Sequence, residues 1–217
     1  MYYANVSQQL PHASRVIEVT GNGKVMATPN YVQIQIEVQT RGKNVQEAQQ
    51  ENAIIMNRVI QSLSAFHIPR ENIQTAFYTI SPVYDYEDGK QIFKDYEVTN
   101  AITVKVTDTS QIGEIIDTAV ENGANRISSI QFNIDNVDAY YQQALSLALQ
   151  NAQMKAKTIA ETMHLPLQPQ PIGIVEELEK AAPVLYRSIA MVDSKISTPI
   201  EQGQIAINAT VRVKFQY

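Results

Sequence analysis

Three histidines, His12, His67 and His164, are the side chains best suited to acid–base work near neutral pH. None has a second His or a carboxylate at i+3 or i+4 on a shared helical face, so the spacing favours exposed or helix-terminal imidazoles over a local metal site. Cysteine is absent, which removes thiolate nucleophiles, thiolate zinc sites, iron–sulfur ligation and any disulfide scaffold. Gly21-Asn22-Gly23-Lys24 follows a strand pattern but lacks the later Gly and the Gly-Lys-Ser/Thr ending of a phosphate loop, and reads as a tight turn. Asp85-Tyr86-Glu87-Asp88-Gly89 has the acidity of a calcium loop. Its twelfth position, however, is Tyr96 where a bidentate Glu is needed, so the run reads as a solvated hairpin tip. Ser128-Ser129 sit in no nucleophile elbow, and Glu176, Glu177 and Glu179 read as a wet strand end.

Two features remain that could contact a ligand. Asn100 shares a strand face with Val98, Ile102 and Val104, and a buried amide must find partners or cost about 1–3 kcal/mol. A bond to a neighbouring loop backbone satisfies it, and a ligand contact is the alternative. Tyr78, Tyr84, Tyr86 and Tyr96 either cover a sheet edge, the preferred reading, or line an aromatic groove.

These residues must be held by elements that hydrophobic periodicity marks out. Val16 to Thr20 alternate up to the Gly21–Gly23 break, and Val32, Ile34, Ile36 and Val38 alternate with polar partners, as in an antiparallel strand covered on one face. Asn44 to Glu47 is a capping box that opens a helix with Val45, Ala48, Ile55, Val59, Leu63 and Phe66 inward, ended by Pro69. Ile73, Thr75, Phe77 and Thr79 alternate against Ala76, Tyr78 and Ile80. Asp88-Gly89 signals a hairpin turn within a longer loop from Ser81 to Lys94, and Tyr96 to Val106 is a long strand. A second capping box at Asp108 to Gln111 opens a short helix stopped at Asn122-Gly123. Ile130, Phe132 and Ile134 mark a strand, and the longest helix runs from Asn136 to about His164. Its inward stripe is read as Tyr141, Leu145, Ala148, Ala152, Ile159 and Met163, and its many alanines allow close packing. A short strand lies near Ile172 to Glu177, residues from about 178 to 204 lack a period, and Ile205 to Phe215 alternate clearly.

The order from Tyr31 to Ile134 is β-α-β-β-α-β, the ferredoxin-like split motif on an antiparallel sheet. The expectation is an α+β fold in which a long helix and two C-terminal strands extend or cover that sheet. Residues 1–14 read as a flexible arm and 15–217 as a single domain with a mobile or docking segment at about 179–203.

The 217 residues are 44% hydrophobic, enough for a sizeable core, and carry a net charge of -5. That balance excludes a general nucleic-acid backbone binder, and no apolar run of about 18 residues exists to span a bilayer as a helix. The opening Met1 to His12 has no basic and apolar leader, so a cytoplasmic protein is expected. The alternative is an exported one whose leader has been removed.

Several motifs taken in order resemble the SIMPL-domain family: Val19-Thr20-Gly21-Asn22-Gly23 with Ala27-Thr28-Pro29-Asn30, and Ile68-Pro69-Arg70-Glu71-Asn72-Ile73-Gln74-Thr75. Ser81 to Tyr86, Tyr96 to Asn100, Gly123 to Ile127 and Ala152 to Lys157 continue the likeness. His67 departs from the family's usual Gly. The resemblance implies a bacterial protein of the uncharacterised or periplasmic immunogenic type, associated with stress responses and oligomeric assembly, and supplies no catalytic residues.

The function expected is therefore a non-enzymatic protein, with no catalytic residue, cofactor or metal, that self-associates or engages a protein partner. Val184, Leu185, Tyr186, Ile189 and Met191 are candidate oligomer contacts. Asn100, Tyr84, Tyr86 and Tyr96 are candidate ligand or structural residues for the alternative, a small-ligand module. An enzyme with a scattered site is the third and weakest reading.

Overall fold

Strict alternation in Val32, Ile34, Ile36 and Val38 places four branched side chains on one face of a strand, and the fold is built on that face. The computed structural model describes residues 15–177, 184–186 (backbone only) and 198–217. In chain order its elements are β1 (Val16–Ala27), β2 (Tyr31–Gly42), α1 (Val45–Ser62), β3 (Ile73–Glu87), β4 (Lys90–Val106), α2 (Ile112–Glu121), β5 (Arg126–Asn133), α3 (Val137–Thr162), β6 (Pro171–Glu177), β7 (Val184–Tyr186) and β8 (Gln204–Gln216). The protein is α+β, and its described residues form two sheets and three α-helices. It groups into two compact units: Ala27–Asp135 with the described part of Leu185–Ile205, and the described parts of Met1–Met26 and Asn136–Val184 with Ala206–Tyr217.

In the first unit the sheet order is β3-β4-β2-β5, every neighbour antiparallel, which is the split β-α-β arrangement. Val32, Ile34, Ile36 and Val38 face Ile102, Val104 and Val106 of β4 under Met56 and Val59 of α1, Leu63, and Ile112, Ile115, Ile116 and Ala119 of α2. A polar latch runs through this apolar layer. Asn52, fully buried on the inward stripe of α1, donates its amide to the carbonyls of Val38 (2.8 Å) and Val98 (3.1 Å), and Thr40 donates to the carbonyl of Ala48 (2.7 Å). Asn44 caps α1 by accepting from the amide of Gln46 rather than that of Glu47. Downstream, Thr198 gives both its amide and its hydroxyl to the Asp117 carboxylate on α2. Gln202 accepts from the Thr109 hydroxyl (3.0 Å) and donates to the carbonyl of Pro29 (2.8 Å), while Ile200 packs on the core.

The C-terminal strands do not lengthen that sheet; with β1 they make a second one, ordered β1-β8-β6, with β7 also pairing β8. A strand thus lies inside the stretch that has no period. Gly21 and Gly23 do not turn the chain, as their sequence context suggested: β1 runs straight through them, and neither has a positive φ. They are glycines because α3 lies against the strand backbone. A Cβ on Gly21 would stand 2.1 Å from the carbonyl oxygen of Ala148, and one on Gly23 1.9 Å from that of Ala144. The facing row of α3 is Ala144, Ala148, Ala152, Ala156 and Ala160, all buried, while Ile159 and Met163, expected inward, are exposed. Two α3 side chains also satisfy the backbone of β1, an edge strand. The Asn22 amide donates to Asn151 Oδ1 (3.1 Å), and Lys155 Nζ donates to the carbonyl of Thr20 (2.7 Å).

Candidate functional site: an aromatic hairpin arm

β2 ends at Gly42, opposite Tyr96, but β3 and β4 continue to pair beyond it. From Val83 to Asp95 the two strands have only each other, joined by a turn at Asp88 (φ 51°) and Gly89 (φ 76°). Two successive left-handed residues make a type I′ hairpin, whose twist matches that of the strands. The longer loop expected from Ser81 to Lys94 is therefore a ladder closed by two residues. The acidic run at its end is the hairpin tip that the sequence indicates.

Paired residues share a face, so Tyr78 opposite Asn100, Ile80 opposite Val98, Pro82 opposite Tyr96, Tyr84 opposite Phe93 and Tyr86 opposite Gln91 form one surface. This surface continues the core-facing side of the sheet out to the tip. At the arm it becomes exposed: Tyr78, Ile80, Tyr84 and Phe93 are open to solvent, and Tyr86 is 74% exposed. Tyr84 and Phe93 meet edge to face at 6.0 Å and 79°, and Phe93 and Tyr96 at 5.0 Å and 57°. Lys43, just after β2, braces the arm at its base. Its Nζ lies 6.0 Å from the centre of the Phe93 ring and 3.5 Å from Asp95, and it donates to the carbonyl of Lys94. Lys94 pairs with Asp85 at 2.8 Å, and that hydrogen bond is the main reason its ammonium is held above the ordinary lysine value. Glu87 and Asp88 form no ion pair among the described residues.

All four candidate ligand residues lie on this one surface, spread along the strands at about 3.4 Å per residue. Tyr84 and Tyr96 are joined through Phe93, Tyr86 stands nearer the tip, and Asn100 is half-buried farther into the sheet between Val38 and Tyr78. Sequence reasoning missed Phe93, the ring that links the cluster. Alternation read backward from Tyr96 puts Lys94 and Ile92 on the tyrosine face. A bulge at Lys94 shifts the register by one and brings Phe93 there instead. A bulge at Ala76 likewise moves Ile73 and Thr75 to the face of Tyr78 and Ile80, away from Phe77. Of the candidate oligomer contacts, Val184, Leu185 and Tyr186 form β7, and Ile189 and Met191 lie outside the described residues. His67 and His164 sit in left-handed positions after helix ends, and His12 lies outside the described residues. No three His, Asp or Glu side chains among the described residues are placed to hold a metal ion.

Residues 17–215 match the model of the SIMPL family, described as proteins of unknown function (DUF541). The chain belongs to the SIMPL family. Among similar proteins, the 26 kDa periplasmic immunogenic protein of Brucella melitensis is 28% identical over 227 residues, covering 99% of this chain and 89% of its own length. The protein of the same name from Brucella abortus strain S19 matches to the same extent. The uncharacterized protein YggE of Escherichia coli K12 is 28% identical over 163 residues, covering 75% of this SIMPL chain and 66% of YggE. These findings correct the expected cytoplasmic placement, because the Brucella relatives are named as periplasmic and so point to export. Among the described residues no helix is long and apolar enough to cross a membrane.

Proposed function

We propose that this SIMPL protein is an exported, non-enzymatic protein that assembles with copies of itself, in a role connected with stress. The observation that carries the assembly reading is the β3–β4 arm. A two-stranded hairpin is marginally stable alone in water, yet this one extends past the sheet with Tyr84, Tyr86 and Phe93 exposed on one face. A contiguous exposed apolar surface marks an interaction site, and here the charged Asp85, Glu87 and Lys90 occupy the reverse face of the arm, with Asp88 at its turn. The periplasmic names of the two Brucella relatives support the export reading.

Light scattering after size exclusion, at several concentrations, tests assembly. A stable multiple of 24.3 kDa is expected, and a monomer at every concentration overturns the reading. The Tyr84–Phe93–Tyr96 cluster favours a second reading, binding of a small aromatic or apolar ligand on the same surface. Native mass spectrometry against a metabolite mixture tests it, and an empty spectrum at high ligand concentration counts against it.

A further inference from the structure

We infer that two copies join arm to arm, the ring face of one β3–β4 hairpin packed on the same face of the other about a two-fold axis. The contact rests on the self-assembly reading and names the surface through which copies meet. From the end of β2 to the tip, that face is made by three cross-strand pairs: Pro82 with Tyr96, Tyr84 with Phe93, and Tyr86 with Gln91. None of these side chains carries a charge. The charges of the arm lie on its reverse face, where Lys94 reaches Asp85 at 2.8 Å and Glu87 stands opposite Lys90. Lys43, 6.0 Å from the centre of the Phe93 ring, is held at the base of the arm beside Asp95.

Charge, shape and area select a second copy as the occupant of this face. Each chain carries a net charge of -5, so copies repel one another and meet best through a face that adds no like charge. The face also complements itself. Tyr86, mostly exposed, stands two residues to one side of the central Tyr84–Phe93 pair, and Pro82, with its short ring, lies two residues to the other. A two-fold axis through the central pair sets the Tyr86 of each copy on the Pro82 of the other. The same contact is then made twice, as an isologous interface requires, and the charged reverse faces point away into solvent. Aromatic side chains have about 150–250 Å² apiece to bury, and at the exposure of these residues the pair of arms covers on the order of 1,000 Å² in all. That is the least area a specific dimer needs, so the pairing depends on concentration.

A residue on a two-fold axis faces its own copy, which permits a direct test. Tyr84→Lys and Tyr84→Glu each set like charges against each other, and each alone is expected to weaken association about a hundredfold. Mixed in equal amounts, they place Lys against Glu, and light scattering should show the pair restored. Circular dichroism confirms that each variant is folded. A second measurement leaves every ring in place: the chain has no cysteine, so Gln91→Cys takes a single nitroxide label. Two faces about 10 Å apart, with Gln91 two residues from the axis at about 3.4 Å each, give one distance between copies of about 2 nm by electron spin resonance. If the unmodified protein assembles but both Tyr84 variants keep its mass and the labels lie beyond about 4 nm, the arm pairing is wrong while self-assembly stands. If the variants dissociate and their mixture does not re-form a pair, the arm binds a different surface of the second copy and the two-fold contact is overturned. If the unmodified protein is a monomer at every concentration, both readings fail.

Discussion

Asn52 ties a helix to two strands at once, and at the scale of single residues it is the most exacting position in the molecule. Its amide nitrogen is committed to the carbonyls of Val38 and Val98, while its Oδ1 is buried with no partner among the described residues. Asn52→Ala removes both bonds and leaves a void, at an expected cost of about 2–4 kcal/mol in urea denaturation. Asn52→Asp is worse at neutral pH, since it buries a charge beside two carbonyls, and part of its loss should return as acid neutralises the new carboxyl. If the two variants are equally stable at pH 7, the latch is not what the geometry says. Asp117 gives a milder case with the opposite dependence on pH. Hydrogen bonds from the Thr198 hydroxyl, first, and the Thr198 amide hold its carboxyl below the ordinary value of 3.8, against a small opposing effect of burial. A depressed carboxylate stabilises the fold above its unfolded pKa, and that contribution is lost as pH falls through the folded value. Asp117→Ala should therefore melt earlier than the parent protein near pH 7, with the gap in Tm closing below about pH 4. A gap that persists unchanged in acid would show that Asp117 acts by packing rather than by charge.

At the scale of elements, the meeting of β1 and α3 is set by what is missing from the side chains. Gly23→Ala would place a methyl 1.9 Å from a helix carbonyl that cannot move without its turn. The expected loss is about 3 kcal/mol, read as a lower urea midpoint with an unchanged m-value, and a neutral result would mean that α3 does not lie against β1. This contact also marks how far the elements can be read in advance. The order β-α-β-β-α-β follows from alternation and caps because a strand or helix face is a local property. The alanines spaced four apart announce a close approach, but the glycines that receive them read as a turn, since a strand Gly and a turn Gly look alike until the helix is placed. The aromatic surface was half legible for a similar reason. Tyr84, Tyr86 and Tyr96 keep one parity, whereas the bulge at Lys94, which brings in Phe93, leaves no mark in the hydrophobic pattern. Asn52 escaped notice because an amide among helical polar residues carries no sign of which carbonyls it will meet.

For the whole molecule, stability and assembly draw on different residues, and one set of substitutions separates them. The first unit rests on β2, the inner half of β4, α1 and α2, none of which needs the arm beyond Pro82. Tyr86 is mostly exposed, while Tyr84 and Phe93, 42% and 40% exposed, pack within the arm and outside the core cluster, so replacing all three by Ser costs contacts of the arm rather than of the core. Surface changes of this kind are usually worth within about 0.5 kcal/mol each, and even the loss of the ring cluster adds only about 0.5–1.5 kcal/mol per pair. In an interface the same rings become buried anchors worth about 2 kcal/mol or more apiece, and losing three of them should weaken association by several orders of magnitude. The triple variant is thus expected to keep its circular dichroism spectrum, to melt within a few degrees of the parent protein, and to elute as a 24.3 kDa species where the parent elutes as a multiple. A variant that unfolds would place the arm in the core. One that folds and still assembles would move the contact off the arm altogether, towards the edges of β5 or β6, where backbone groups are open to pairing.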